Sequence, residues 1–77
     1  MTYIAERITI DDKICEGKPT IRGKRITVQT ILEFLSAGES EEEILKQYPS
    51  LEKDDISACL RFASKLMDRS YIFRPVS

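Results

Sequence analysis

Between Gly17 and Thr27 the chain has few conformational options. The stretch Gly17-Lys18-Pro19-Thr20-Ile21-Arg22-Gly23-Lys24-Arg25-Ile26-Thr27 holds two glycines, one proline and four cations, with no anion. Proline donates no backbone hydrogen bond, which confines it to a sheet edge, and glycine tolerates the positive φ that a two-residue hairpin loop demands. The pattern predicts a hairpin turning at Gly23-Lys24, with glycine at the first central position. Ile21 then lies opposite Ile26, and Arg22 opposite Arg25. Two facing arginines repel. Either an anion is expected nearby, or both side chains swing into water.

The hairpin is preceded by a strand and followed by helices. From Tyr3 to Ile10 the residues alternate, with Ile4, Ile8 and Ile10 on one face and Arg7 and Thr9 on the other, which predicts one strand. Asp11-Asp12 ends it as a turn. Thr27 suits a helix N-cap. Val28, Ile31, Leu32, Phe34 and Leu35 then repeat at helical spacing until Gly38, a C′ glycine, closes the first helix. Ser40-Glu41-Glu42-Glu43 reads as a capping box opening a second helix, Ser40 to Gln47, which Pro49 stops. A third helix runs from about Lys53 to Asp68. Its inward stripe is Ile56, Cys59, Leu60, Ala63 and Met67, with Phe62 and Leu66 on the flank and Asp54, Ser57, Arg61, Ser64, Lys65 and Asp68 opposite. Residues 70–77 change character again: Tyr71-Ile72-Phe73 is β-prone and predicts a strand-like tail. The fold class is therefore mainly α, or α+β: short N-terminal strands and a β-hairpin, then a three-helix unit, in one domain.

Composition narrows the function. Seventy-seven residues make one small domain that buries only about 60–65% of its unfolded surface, so a homodimer is the expected source of further buried area. Histidine is absent and the two cysteines, Cys15 and Cys59, lie far apart, which removes Ser/His and Cys/His catalysis and any metal cluster. Cys15 reads as a small buried hydrophobe rather than a reactive thiol. No phosphate-cradling loop is present, so no enzyme activity, cofactor or small-molecule substrate is expected. No apolar run approaches a membrane span and no signal peptide opens the chain; reduced thiols and a cytoplasmic location are the expectation. The net charge of −1 conceals an asymmetry: residues 1–27 are net +2 and residues 28–77 net −3. That balance argues against tight non-specific DNA binding by a monomer, whereas a dimer can present a focused basic patch.

The segment Ile14-Cys15-Glu16-Gly17-Lys18-Pro19-Thr20-Ile21-Arg22-Gly23-Lys24-Arg25-Ile26-Thr27-Val28 resembles the signature of the domain of unknown function 433 family, small prokaryotic helix-turn-helix-like proteins. The likeness continues through Ala37-Gly38-Glu39-Ser40, Glu43-Ile44-Leu45, Tyr48-Pro49 and Asp54-Asp55-Ile56, over roughly residues 6 to 63. Two positions depart from it. Glu16 stands where a second glycine is more common, and Glu52 where a helix-capping threonine is common, so a weaker start to the last helix is expected.

The resemblance implies an antitoxin of a type II toxin–antitoxin system, which neutralises a PIN-like nuclease toxin by direct binding and represses its own promoter through the helix-turn-helix. On that basis Lys18, Arg22, Lys24 and Arg25 supply phosphate contacts. Ser57, Arg61, Ser64 and Lys65 reach the operator groove. Phe62, Leu66, Tyr71, Ile72 and Phe73 carry protein contacts. The alternative is a small protein-interaction module with no DNA binding, which the acidic segment from Glu33 to Asp55 favours locally.

Overall fold

The computed structural model describes residues 1–68. It is an α+β fold in which a three-stranded antiparallel sheet precedes three helices. Strand β1 (Thr2–Ala5) pairs with β2 (Ile8–Ile10), and β2 with β3 (Thr20–Ile21), so β2 is central. The expected single strand from Tyr3 to Ile10 is therefore broken. The chain reverses at Glu6-Arg7, and Ala5 pairs with Ile8. Arg7 takes φ 67°, a left-handed conformation that costs a non-glycine residue roughly 1–2 kcal/mol. Neither glycine nor asparagine flags this turn, because it is held by the Arg7 side chain and not by local preference. The register slips between Tyr3 and Ala5, and Ile4 stands exposed instead of sharing a face with Ile8 and Ile10.

Thr9, expected on the polar face, is fully buried beside Thr20. The hairpin turn closes over it: Gly23 N–H donates to the Thr9 hydroxyl at 2.8 Å, and the two threonines satisfy each other. Their hydroxyls are 3.1 Å apart and share a hydrogen bond, and the Thr20 hydroxyl lies 3.2 Å from the Thr9 carbonyl that accepts from it. A buried hydroxyl without such a partner costs on the order of 1–3 kcal/mol.

The basic hairpin closes through four residues, Arg22 to Arg25, where its glycine suggests a two-residue loop. Lys24 N–H donates to the Ile21 carbonyl at 2.8 Å, and the central pair is Arg22-Gly23, at φ 46° and 71°. Positive φ at both positions marks a type I′ turn. Ile21 N–H donates to the Ile26 carbonyl at 3.1 Å and Thr20 bridges Thr27, so Ile21 and Ile26 face each other as expected. Arg22 does not face Arg25; it is part of the turn. A further left-handed run, Cys15, Glu16 and Gly17 at φ 51°, 57° and 79°, places Glu16 in a conformation that glycine favours. Cys15 is half-buried there.

The helices begin where their caps predict. Thr27 Oγ1 accepts from Thr30 N–H at the start of α1 (Val28–Ser36), and Ser40 Oγ from Glu43 N–H at the start of α2 (Glu41–Gln47). Gly38, at φ 93°, follows the end of α1, with Glu39 N–H returning to the Phe34 carbonyl in a Schellman arrangement. Helix α3 (Lys53–Leu66) follows a five-residue connection. The core is aliphatic: Ile8 and Ile21 from the sheet, Val28 and Ile31 from α1, Ile44 from α2, and Ile56 and Cys59 from α3. Each such isoleucine contributes about 1.5–3 kcal/mol. Burial on α3 stops short of the expected stripe. Ile56 and Cys59 are fully covered, but Leu60 is 49% and Met67 65% exposed, while Phe62 packs half-buried against the core. The stripe is also rotated from the expected one: Asp55, Ala58 and Cys59 are buried and the flanking Phe62 turns inward, while Leu60 turns out. The expected strand-like tail, 70–77, lies outside the described residues.

Gly23→Val is expected to lower stability by about 1–2 kcal/mol or more, because a β-branched residue resists positive φ. A Cβ at this site would also meet the Met1 sulfur at 2.6 Å, a flexible neighbour that can move. Urea unfolding measures the cost, and a midpoint equal to that of the parent would rule out the type I′ turn.

Candidate functional site

Three surfaces stand out once the fold is assembled: an ion cluster at the start of α3, the polar face of α3, and an apolar groove beside its end. The cluster centres on Asp55, whose side chain is completely buried. Arg22 Nε donates to Asp55 Oδ1 at 2.9 Å and its Nη2 to Oδ2 at 2.7 Å, a bidentate fork. Arg7 Nη1 donates to Oδ1 at 2.9 Å and to Glu52 Oε1 at 2.8 Å. The backbone N–H of Glu52 donates to Oδ2 at 2.7 Å. The carboxylate thus accepts four hydrogen bonds, the full capacity of its two oxygens. Both guanidiniums lie on reversed turns, and Arg22 N–H also donates to the Arg7 carbonyl at 3.0 Å, so the two turns are stitched side by side.

Burial alone would push the Asp55 carboxyl up. Hydrogen bonds from Arg22, the Glu52 amide and Arg7 outweigh that and hold it at about 2. Arg7 is held charged chiefly by its bonds to Glu52 and Asp55, and Arg22 by its fork on Asp55. The expected weak start of α3 at Glu52 is not found. Asp55, three residues on, closes back onto the Glu52 amide, and Arg7 engages the Glu52 carboxylate. Burial raises the Cys59 thiol to about 11, so it stays protonated at neutral pH.

This geometry sorts the residues singled out on the sequence. Arg22, one of four expected phosphate contacts, spends its fork on Asp55 and a further bond, at 3.2 Å, on the Ser50 carbonyl; it is engaged inside the fold. Arg25 and Lys18 are exposed and Lys24 half-buried. Arg61, Ser64 and Lys65 are exposed and Ser57 half-buried, on the side of α3 away from the core; Arg61 makes a loose contact, 3.9 Å, with Glu6. Phe62 and Leu66 line the apolar groove. Tyr71, Ile72 and Phe73 lie outside the described residues. Arg7, Glu52 and Asp55 were missed as a unit. Their one signal was the expectation of an anion near Arg22, which a buried aspartate at a helix start satisfies. Among the described residues no group of acidic or cysteine side chains could hold a metal ion, and no helix is long and apolar enough to cross a membrane.

The family described as "Protein of unknown function (DUF433)" matches residues 8–63, from the central strand through most of α3. The chain belongs to this family. A crystal structure of a DUF433 member protein from Anabaena variabilis is similar, at 32% identity and a TM-score of 0.73. The likeness covers 77% of this chain and 58% of that one, so this chain matches little more than half the length of its relative. The family match takes in the hairpin, Arg22 and Asp55 and ends three residues short of Leu66. No curated protein matches the chain.

Asp55 links stability to pH. Its folded value, about 2, lies below the unfolded value of about 3.9. Its contribution, about 2 kcal/mol, is therefore complete above roughly pH 5 and is lost as pH falls through about 4 toward 2. Asp55→Asn is expected to be less stable at pH 7 and to lack this part of the acid loss. Denaturant titrations of both proteins from pH 7 to 2.5 check this, and parallel curves would contradict it.

Proposed function

We propose that this chain is an antitoxin of a type II toxin–antitoxin pair, acting as a homodimer that binds a PIN-like nuclease directly and represses its own promoter. The observation that carries the reading is the α2–turn–α3 unit of a DUF433 family member. On it, Ser57, Arg61, Ser64 and Lys65 share the face of α3 that looks away from the core. In a helix-turn-helix the second helix presents such a face to the major groove, and a two-fold dimer repeats it at each half-site. Lys18, Lys24 and Arg25 supply phosphate contacts. Arg22 acts indirectly, by fixing the turn that carries its two neighbours.

One observation favours the second reading, an interaction module that does not meet DNA. The start of α3, where a reading helix usually meets bases, carries Glu52, Asp54 and Asp55. Asp55 is neutralised by its arginines, and Glu52 lies 2.8 Å from Arg7, but Asp54 is 77% exposed and only 3.7 Å from Arg7 at its nearest. An exposed acid there opposes a phosphate backbone.

A salt titration of binding to DNA from the chain's own promoter separates the two. The first reading expects affinity to fall steeply with salt. Lys24→Ala with Arg25→Ala should reduce the logarithmic slope by about 2 and weaken all sequences alike, whereas Arg61→Ala should relax sequence preference. Binding that ignores salt, or is absent while the neighbouring nuclease is still captured, supports the module.

A further inference from the structure

The groove between α1 and the end of α3 has a volume of about 500 Å³ and is lined by Pro19, Val28, Leu32, Phe62, Ala63 and Leu66, with Lys18 and Glu33 at its border. It is not isolated. The distal turns of α3 run past the helices that cover Ile56 and Cys59, leaving Leu60 49% and Leu66 51% exposed. An apolar groove beside two half-exposed leucines offers a seat for an apolar segment. Beyond Asp68 the chain has nine more residues, with Tyr71-Ile72-Phe73 three to five positions on, followed by Arg74. The chemistry is complementary: an aromatic and aliphatic triplet for an apolar groove, and a cation for Glu33.

A tail folded onto its own groove would cover Leu66 and leave Leu60 in water, because six residues of helix set the two about 120° apart. A second copy can cover both: its tail would reach the groove while its own α3, which ends a few residues earlier, would stand next to Leu60. We infer that the groove is the seat of the Tyr71–Phe73 segment of a second copy, exchanged reciprocally about a two-fold axis. This rests on the homodimer proposed above, but it requires neither DNA nor toxin.

The test uses the full chain with the photo-crosslinker p-benzoylphenylalanine at position 73, in a refolded mixture of light and nitrogen-15-labelled protein. Cross-linked peptides joining position 73 to the Leu32 or Leu66 peptide are expected as mixed light–heavy pairs. Pairs of one isotope only would show the chain's own tail in the groove, and no groove cross-link would leave the seat to another partner; either result overturns the inference. Leu66→Arg changes an exposed position and should keep the parent melting profile apart from the dimer contribution. It should raise the dimer dissociation constant, read by sedimentation, by about tenfold or more. Unchanged sedimentation of this variant also overturns the inference. If mixed cross-links form and DNA binding is absent, the exchanged dimer stands and the promoter reading fails.

Discussion

Four hydrogen bonds converge on the Asp55 carboxylate, and much of the architecture follows from them. Three come from the two arginines on adjacent turns of the sheet, two of these from the fork of Arg22, and one comes from the backbone at the start of α3. A buried carboxylate alone would be costly, and two arginines in left-handed turns would be strained. Together each offsets the cost of the others. The sheet is joined to the helical layer by this ion cluster on one side and by Ile8, Ile21, Ile31 and Ile56 on the other. The aliphatic contacts supply most of the cohesion. The ionic contacts set the orientation, since a bidentate fork accepts little angular error.

Elements with local causes were legible in the residues. The three helices and their caps at Thr27 and Ser40 follow from short-range hydrogen bonds and from apolar spacing, and they are found in place. The pairing of Ile21 with Ile26 was legible for the same reason. What was not legible depends on partners far along the chain. The turn at Glu6-Arg7 contains none of the usual turn residues, because its positive φ is compensated by a carboxylate 48 positions later. The second loop is likewise wider than expected, and Arg22 stands at its start with its fork on Asp55. Thr9 looked like a surface residue because alternation does not reveal that Thr20 and the turn at Gly23 close over it. Charge alone marked Arg22 as a surface cation, and only the placement of α3 shows otherwise.

The same partition bears on function. Among the described residues Lys18, Lys24 and Arg25 near the hairpin and Arg61 and Lys65 on α3 lie outside the ion cluster, as do Lys13, Lys46 and Lys53, while six of the acidic residues stand in the first turns of α2 and at the start of α3. The chain has no strong overall charge. A single copy offers limited electrostatic attraction to a polyanion, and pairing two copies concentrates what there is. The exposed distal half of α3 lies where such pairing would bury apolar area.

The span of the Asp55 contacts has a consequence for how the chain is made. Arg7 and Arg22 precede their carboxylate by 48 and 33 residues, so a chain emerging in order has both strained turns long before it has the group that compensates them. Until α3 appears, the N-terminal sheet consists of short strands with two uncompensated arginines, and strand pairs of this size are marginal in water. Contacts of such long range close late and slow folding relative to a purely local helical unit. The sheet that comes first in sequence therefore gains its ionic tie only once the start of α3 is in place.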